Sequence, residues 1–387
     1  MMFKHRSRGL LLLSLLLAGL LLIGCGSDVV EFDAGEEQQE EVAEPVAEDE
    51  PAEEEEVVAE EPTEEPTEEP EAEPAEEEAA EDEELRIALF HPVLGNTYTA
   101  AVSNGVTEVA EQMGATVSVF GADPAYDPVS QSNQIQDAIT SGEYDAFIIY
   151  AVDGNAVVPD VEDAVEAGIT VVAADVVIGP DSRSTEPCCG IVSYVGRTGY
   201  AHGTMLGEMI VQACEDIDPC QVGYLNGAQS LTIDQDRVAA IEEVLSQHDH
   251  IEIVANQEAF YLEDQGLEVA QNILLANPDI DVLATSGDQM MLGAEQAVID
   301  AGLQGEVRLL GNGTGERGYQ AIQEGRFWAN YADIPYTMGQ IAAEIAINAV
   351  RGEDVPAFVN NDEQIPPLPE GGPIITQQNV EQFEPQW

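Results

Sequence analysis

From residue 85 onward, short runs of consecutive apolar residues alternate with longer segments whose apolar positions recur every three or four residues. The runs LRIALF, ATVSVFG, AFIIYAV, TVVAAD, IVSYVG, QVGYLNG, IEIVANQ, VLATSG, VRLLGNG and FWANYAD read as strands. They are rich in Val and Ile and lack polar alternation, the pattern of strands covered on both faces and hence of mainly parallel sheets. Between them, segments such as TAAVSNGVTEVAEQMG and GLEVAQNILLANP carry helical periodicity. Gly114, Gly168 and Gly302 each close a helix before the next strand. Ten strands are too many for one ordinary sheet, so the pattern predicts an α/β fold in two doubly wound parallel-sheet lobes. In such sheets ligands sit beyond the C-terminal strand ends. The informative residues are therefore 91–99, 150–155, 175 onward, 226–237, 260–261, 286–289, 312–315 and 333.

The first 84 residues follow a different pattern. Lys4, Arg6 and Arg8 precede GLLLLSLLLAGLLLIG, an apolar core too short and too sharply ended for a permanent span, although a retained signal anchor is the alternative. Leu22-Ile23-Gly24-Cys25 looks like a bacterial lipobox, which makes residues 1–24 a signal peptide and Cys25 the lipid-bearing mature N-terminus. Several acyl chains, at about 0.8 kcal/mol per buried CH2, anchor stably where a single chain is marginal. Residues 28–84 follow, 57 residues of which 30 are Asp or Glu. This Glu/Pro/Ala strap cannot bury enough apolar surface to offset its ordering entropy, and its like charges repel, so 25–84 is expected to be an anchor and disordered linker. Its reach is at most on the order of 190 Å.

Charge narrows the partners. Residues 85–387 hold 46 acidic residues, eight arginines and no lysine, a formal net of −38. Such a field disfavours nucleic acid and anionic membranes. The absence of lysine fits salt adaptation or plain composition bias equally. No later apolar run is long enough to span a membrane, so the body is expected to be soluble and exported.

Catalytic patterns are missing. Of the histidines beyond the leader, only His248 and His250 are clustered, at the end of a surface helix where solvent exposure explains them. GNGTGERG, residues 311–318, lacks the Gly-Lys-Ser/Thr ending of a phosphate loop. There is no CxxC motif. Neither an enzyme, a metal site nor a cofactor is expected.

Six stretches carry a resemblance in their order and spacing: GNTYTAAVSNGVTEVAEQMGATV, NQIQDAITSGEYDAFIIYAVDGNAV, AGITVVAAD, DQDRVAAIEEVL, GLEVAQNILLANPDIDVLATSGDQMMLGAEQAVIDAG and PIITQQNV. Over residues 85–387 the chain resembles the ribose-binding type (type I) of periplasmic solute-binding protein of sugar ABC transporters. That resemblance implies two α/β lobes joined by three crossovers, 85–196 with 334–363 and 197–333 with 364–387, closing on a ligand in the cleft. It places Asn96 and Tyr98 at the first strand-to-helix turn, an amide for a hydroxyl and a ring for a sugar face. The alternative for Tyr98 is a core-capping aromatic. Asp175 falls where the family often has a carboxylate accepting two sugar hydroxyls, or else it caps a turn. Arg237 matches an arginine that forks hydrogen bonds to the ligand. Tyr261 matches an aromatic of the second lobe, with Phe260 the neighbour that replaces it if the register slips by one.

Four positions depart from the family. Gly287 precedes Asp288 where relatives have Asn-Asp. Gly313, beside Asn312, replaces an Asp. Asp333 stands where Gln or Asn is usual, and Tyr150 where a small polar residue is usual. Trp328 is assigned to the core. These changes point away from ribose towards another sugar, a polyol or a less hydroxylated ligand. The implied fold also sorts the cysteines. The helix beginning at Gly199 runs about 25 Å from the hinge, so pairs between lobes are too far apart for a bond that needs Cα atoms within about 7 Å. Cys214 and Cys220 are the candidate bridge, and Cys188 and Cys189 form either a vicinal disulfide or two thiols. The function expected is capture of a small sugar or polyol by a monomer, held outside the cytoplasm by its N-terminal lipid, for delivery to an ABC-type permease. The alternative is a sensor presenting a nucleoside or signalling sugar derivative to a chemoreceptor or kinase.

Overall fold

The computed structural model describes residues 84–365 and 373–387; the leader, Cys25 and the acidic strap lie outside the described residues. Element by element the chain runs β1 (Leu85–His91), α1 (Thr97–Gln112), β2 (Ala115–Gly121), α2 (Pro128–Ser141), β3 (Ala146–Ile149), α3 (Val158–Glu166), β4 (Thr170–Asp175) and β5 (Ser193–Gly196). It then crosses to α4 (Gly199–Ala213), β6 (Cys220–Asn226), α5 (Thr232–Leu245), β7 (Ile251–Glu258), α6 (Glu263–Ala276), β8 (Val282–Thr285), α7 (Asp288–Ala301), β9 (Arg308–Gly313), α8 (Glu316–Gln323) and β10 (Ala329–Ala332). It returns through α9 (Pro335–Val350) and β11 (Phe358–Asn360) and finishes with β12 (Ile374–Thr376).

The strands form two six-stranded sheets. The first has the order β11-β5-β4-β3-β1-β2 and is parallel throughout. The second has the order β12-β10-β9-β8-β6-β7, parallel except for β12, which pairs antiparallel with β10. The apolar runs read in the sequence are buried on both faces. Along β1, Ile87 and Leu89 enter one core layer with Val102 of α1 and Met338 of α9, whereas Ala88 and Phe90 enter the opposite layer with Ile135 of α2. This alternation is the period of two that a pleated strand imposes. At roughly 25 cal/mol per Å² of apolar surface, two such layers on each sheet supply the main stabilisation. The second sheet is sandwiched in the same way, by α6 and α7 on one side and α4 and α5 on the other.

Each sheet reverses its winding beside its first strand, β1 between β2 and β3, and β6 between β7 and β8. Those are the topological switch points where open sheets leave a crevice, and the two crevices face each other. Three crossovers join the lobes: Arg197–Thr198 after β5, Asp333–Ile334 after β10, and the stretch between β11 and β12.

Candidate functional site

Between the lobes lies a cavity of about 70 Å³. Its lining comes almost wholly from strand exits: Asn96 and Tyr98 after β1, Tyr126 after β2, Tyr150 to Val152 after β3 and Asp175 at the end of β4. Opposite them stand Arg237, Tyr261, Ser286, Gln289, Asn312 and Asp333, joined by His202 and Trp387.

The first-lobe wall is built around Asp175. Its φ is +63°, a left-handed conformation that costs a non-glycine residue energy and recurs at functional sites. Tyr126 (φ +60°) and Tyr261 (φ +58°) share this conformation and also line the cavity. The Tyr98 hydroxyl donates to Asp175 Oδ1 at 3.0 Å, and Tyr194 donates to the Asp175 carbonyl at 3.0 Å. Burial first, and the Asp175 carboxylate second, hold the Tyr98, Tyr150 and Tyr194 hydroxyls well above the usual tyrosine range. Asn96 is the N-cap of α1: its Oδ1 accepts from the Tyr98 amide at 2.7 Å. The same oxygen accepts from Gln289 Nε2 of the other lobe at 3.2 Å. Only the Asn96 amide nitrogen therefore remains for a ligand.

The second-lobe wall is a connected network. Asp234 and Arg237 lie three residues apart on α5, on one helical face, and pair at 3.0 Å. The Tyr261 hydroxyl accepts from Arg237 Nη1 and donates to Asp234 Oδ1, both at 2.5 Å. Gly227 makes this meeting possible, because a Cβ there would lie 2.3 Å from both Asp234 Oδ2 and the Tyr261 ring. Arg237 also reaches His202 Nδ1 from Nε at 3.3 Å and Nη2 at 2.9 Å. A guanidinium can only donate, so Nδ1 is the lone-pair nitrogen. His202 is then neutral, with Nε2–H donating to Asn312 Oδ1 at 2.6 Å. Burial, and then Arg237 and Arg197, push its pKa well down, in agreement. Asn312 passes the chain on to the Ser286 carbonyl at 2.7 Å. Helix α4 brings His202 this close because Gly203 packs on α5, where a Cβ would come within 2.3 Å of the Arg237 carbonyl oxygen. Of the five guanidinium N–H groups, four are committed to protein. One, on Nη2, is left for a ligand, far fewer than the fork expected from the sequence.

The floor of the cleft is ionic. Arg197 Nη2 meets Asp333 Oδ1 at 2.7 Å, and Arg197 Nε meets Asp362 Oδ1 at 2.9 Å. The guanidinium stacks 4.2 Å from the centre of the Tyr331 ring. One residue from each of the three crossovers thus enters a single cluster. Burial raises Asp333 to about 6 despite Arg197 beside it. Its Oδ2 has no partner among the described residues.

Eight of the nine ligand-binding residues expected from the sequence line the cavity: Asn96, Tyr98, Tyr150, Asp175, Arg237, Tyr261, Asn312 and Asp333. Asp288 lies outside this cavity and lines the adjoining hollow with Gln289, Gly315 and Trp387. It lies in the first turn of α7, turned inward, where Oδ2 accepts from the Gly315 amide at 2.9 Å and Oδ1 from Asn330 Nδ2 at 2.6 Å. Burial raises it to about 7. The next residue, Gln289, is a helical step further round and faces the cleft instead. Phe260 is 41% exposed and outside the cavity, while Tyr261 is inside. Trp328 packs against the core layer of α4 and β6. The sequence reading overlooked Tyr126, His202 and Trp387. Trp387 packs on Gly313 and meets the Tyr98 ring at 5.4 Å.

The lobes touch across the cleft. Thr232 Oγ1 donates to Asp153 Oδ2 at 2.9 Å, and Arg183 Nε meets Asp236 Oδ1 at 3.3 Å. Ala122 and Val152 of one lobe pack with Ala228 and Leu231 of the other. Cys214 is bonded to Cys220, and Cys188 to Cys189 in the loop that carries Arg183. Among the described residues no group of three or more His, Cys, Asp or Glu could hold a metal ion.

Residues 87–354 match the family model described as periplasmic binding protein domain. The chain is 26% identical over 271 residues to the ribose import binding protein RbsB of Salmonella typhimurium, covering 70% of this chain and 86% of that protein. It is 26% identical over 275 residues to RbsB of Bacillus subtilis, covering 70% and 84%. Among solved structures it is similar to an ABC transporter periplasmic solute binding protein from Actinobacillus succinogenes with bound D-allose. The TM-score is 0.67 at 23% identity, over 77% of this chain and 100% of that one. An ABC transporter solute binding protein from Mycobacterium smegmatis with bound glycerol gives a TM-score of 0.66 at 25% identity, over 77% and 96%.

Proposed function

We propose, from the premise that this chain belongs to the periplasmic binding protein family in its sugar-binding, type I form, that it captures a small sugar or polyol between its lobes and delivers it to an ABC-type permease. One observation carries this: the cavity between the lobes draws polar and aromatic side chains from both, so a ligand there bonds both at once. An occupant that touches both lobes favours the closed form over the open one, and about 5.5 kcal/mol of such preference turns a 99:1 open population into 1:99. The lobe boundaries that go with this are 85–196 with 334–363, and 197–333 with 364–387.

The second-lobe network holds Arg237 and Tyr261 in place before the ligand arrives, which reduces the ordering cost of binding. Tyr98, Tyr150 and Trp387 offer rings to the apolar faces of a hydroxylated carbon skeleton. The lipobox and strap support a tether at the outer side of a bacterial membrane, raising the local concentration of the trap beside its permease. Cys25→Ala should release the protein from the membrane fraction, and a variant that stays bound would refute the tether. The cargo is testable by a thermal-shift screen of the full chain against pentoses, hexoses, polyols and nucleosides. A true ligand at a hundredfold excess over its Kd adds about 2.7 kcal/mol of stability. Capture is refuted if no sugar or polyol shifts the melt.

A further inference from the structure

The charges around the cavity do not balance. Four carboxylates, Asp175, Asp234, Asp333 and Asp362, face two guanidiniums, Arg197 and Arg237. Both cations are taken: Arg237 pairs with Asp234, and Arg197 with Asp333 and Asp362. His202 offers no charge, because its Nδ1 accepts from Arg237. Among the described residues Asp175 has no ion pair at all; its carboxylate takes a hydrogen bond from the Tyr98 hydroxyl. A half-buried carboxylate between two lobes, with no ion pair of its own, is an open position for a cationic group.

The remaining polar atoms point the same way. The guanidinium retains one free N–H, and the tyrosine hydroxyls Tyr98 and Tyr261 already donate to aspartates. The unpartnered Oδ2 of Asp333 adds an acceptor on the cavity side. Neutral donors remain on Asn96 and Tyr150, but the acceptors Asp175 and Asp333 are carboxylates, and both guanidiniums of the site are already paired with carboxylates. An ammonium group is the complementary species, with three donors, no acceptor and a full positive charge. Rings stand beside the carboxylate: Tyr98 and Tyr150 have centroids 6.3 Å apart, and Trp387 lies 5.4 Å from Tyr98. Aromatic faces attract a cation by their quadrupole. The net charge of −38 on residues 85–387 also draws cations towards the cleft and repels anions.

We infer that the cargo carries a protonated amine seated on Asp175 among the rings of Tyr98, Tyr150 and Trp387, so that the ligand is an amino sugar or amino polyol and not a neutral one. This rests on the assignment of the cleft as a sugar or polyol site and makes it narrower. The test is calorimetry at pH 7 on the full chain with matched probes: glucosamine against glucose and N-acetylglucosamine, and galactosamine against galactose and N-acetylgalactosamine. In at least one series the amine should bind about tenfold or more tightly than both neutral partners. In Asp175→Asn that advantage should shrink below about threefold, with Asp175→Glu restoring part of it. A neutral sugar that binds as tightly as its amine overturns the inference and leaves sugar capture standing. Absence of heat with every amine and every neutral probe overturns the inference and leaves sugar or polyol capture to the thermal-shift screen above.

Discussion

The two walls of the cleft solve the same problem in opposite ways. In the second lobe, Arg237, Asp234, Tyr261, His202 and Asn312 satisfy one another, ending on a backbone carbonyl. In the first lobe, Asp175 has tyrosine hydroxyls and rings around it but no ion pair among the described residues, and its backbone is held in a left-handed turn. The network is a rigid surface whose geometry is set without ligand. The carboxylate is a surface with unspent interaction energy, available only to what enters. A trap needs both: rigidity limits the ordering cost, and unmet polarity makes closure depend on occupancy.

The sharpest way to break this contrast is to remove the central charge of each wall and compare unliganded stabilities. Arg237→Ala leaves Asp234 buried and unpaired, and denaturant melts should show a loss of about 3–5 kcal/mol. Asp175→Asn removes a charge that nothing pairs, and asparagine tolerates the left-handed turn better than most residues. Its melt should stay within about 1 kcal/mol of wild type or move upwards. Equal losses in the two variants would abolish the distinction between the walls.

Asp333 sharpens the contrast from the floor of the cleft. Burial lifts its pKa to about 6, above the range of an unfolded aspartate. The folded state therefore binds its proton more readily, and the stabilisation from that proton is fully present below about pH 4. It is lost as the pH rises through about 6. Melting temperature between pH 7 and pH 5 should therefore carry a component that rises with acidification, and Asp333→Asn should remove it. The smallest effect is expected at the rim. Thr232→Val deletes the bond to Asp153, whose other oxygen still accepts from the Asn155 and Ala156 amides. The closed form should lose about 0.5–1.5 kcal/mol, seen as a rise of a few-fold in Kd with unchanged stoichiometry.

Most of the scaffold was legible because buried parallel strands announce themselves as apolar runs. All ten predicted strands are present, with β3 ending at Ile149 where the run AFIIYAV continues. The two missed strands, β11 and β12, are three residues each, too short to show any period. Cavity-lining residues at strand exits were legible for the same reason, since the switch-point rule needs only the strand ends. Tyr126 follows β2, an exit left out of the reading, and is aimed by a positive φ that no local composition signals. His202 sits inside a helix, where only the packing of Gly203 against α5 brings it to Arg237. Trp387 follows no strand exit and reaches the cavity by packing on Gly313. Asp288 and Gln289 differ by one helical step, a rotation of about 100° that sequence spacing cannot orient without the neighbouring sheet, and it is Gln289 that reaches the cavity.

The most direct test takes the solute with the largest thermal shift and measures its Kd by calorimetry in wild type, Arg237→Ala and Asp175→Asn. Binding between the two walls predicts one site per chain and a loss of about tenfold or more in each variant. A Kd unchanged in both variants would place the ligand elsewhere and contradict the account of this cleft.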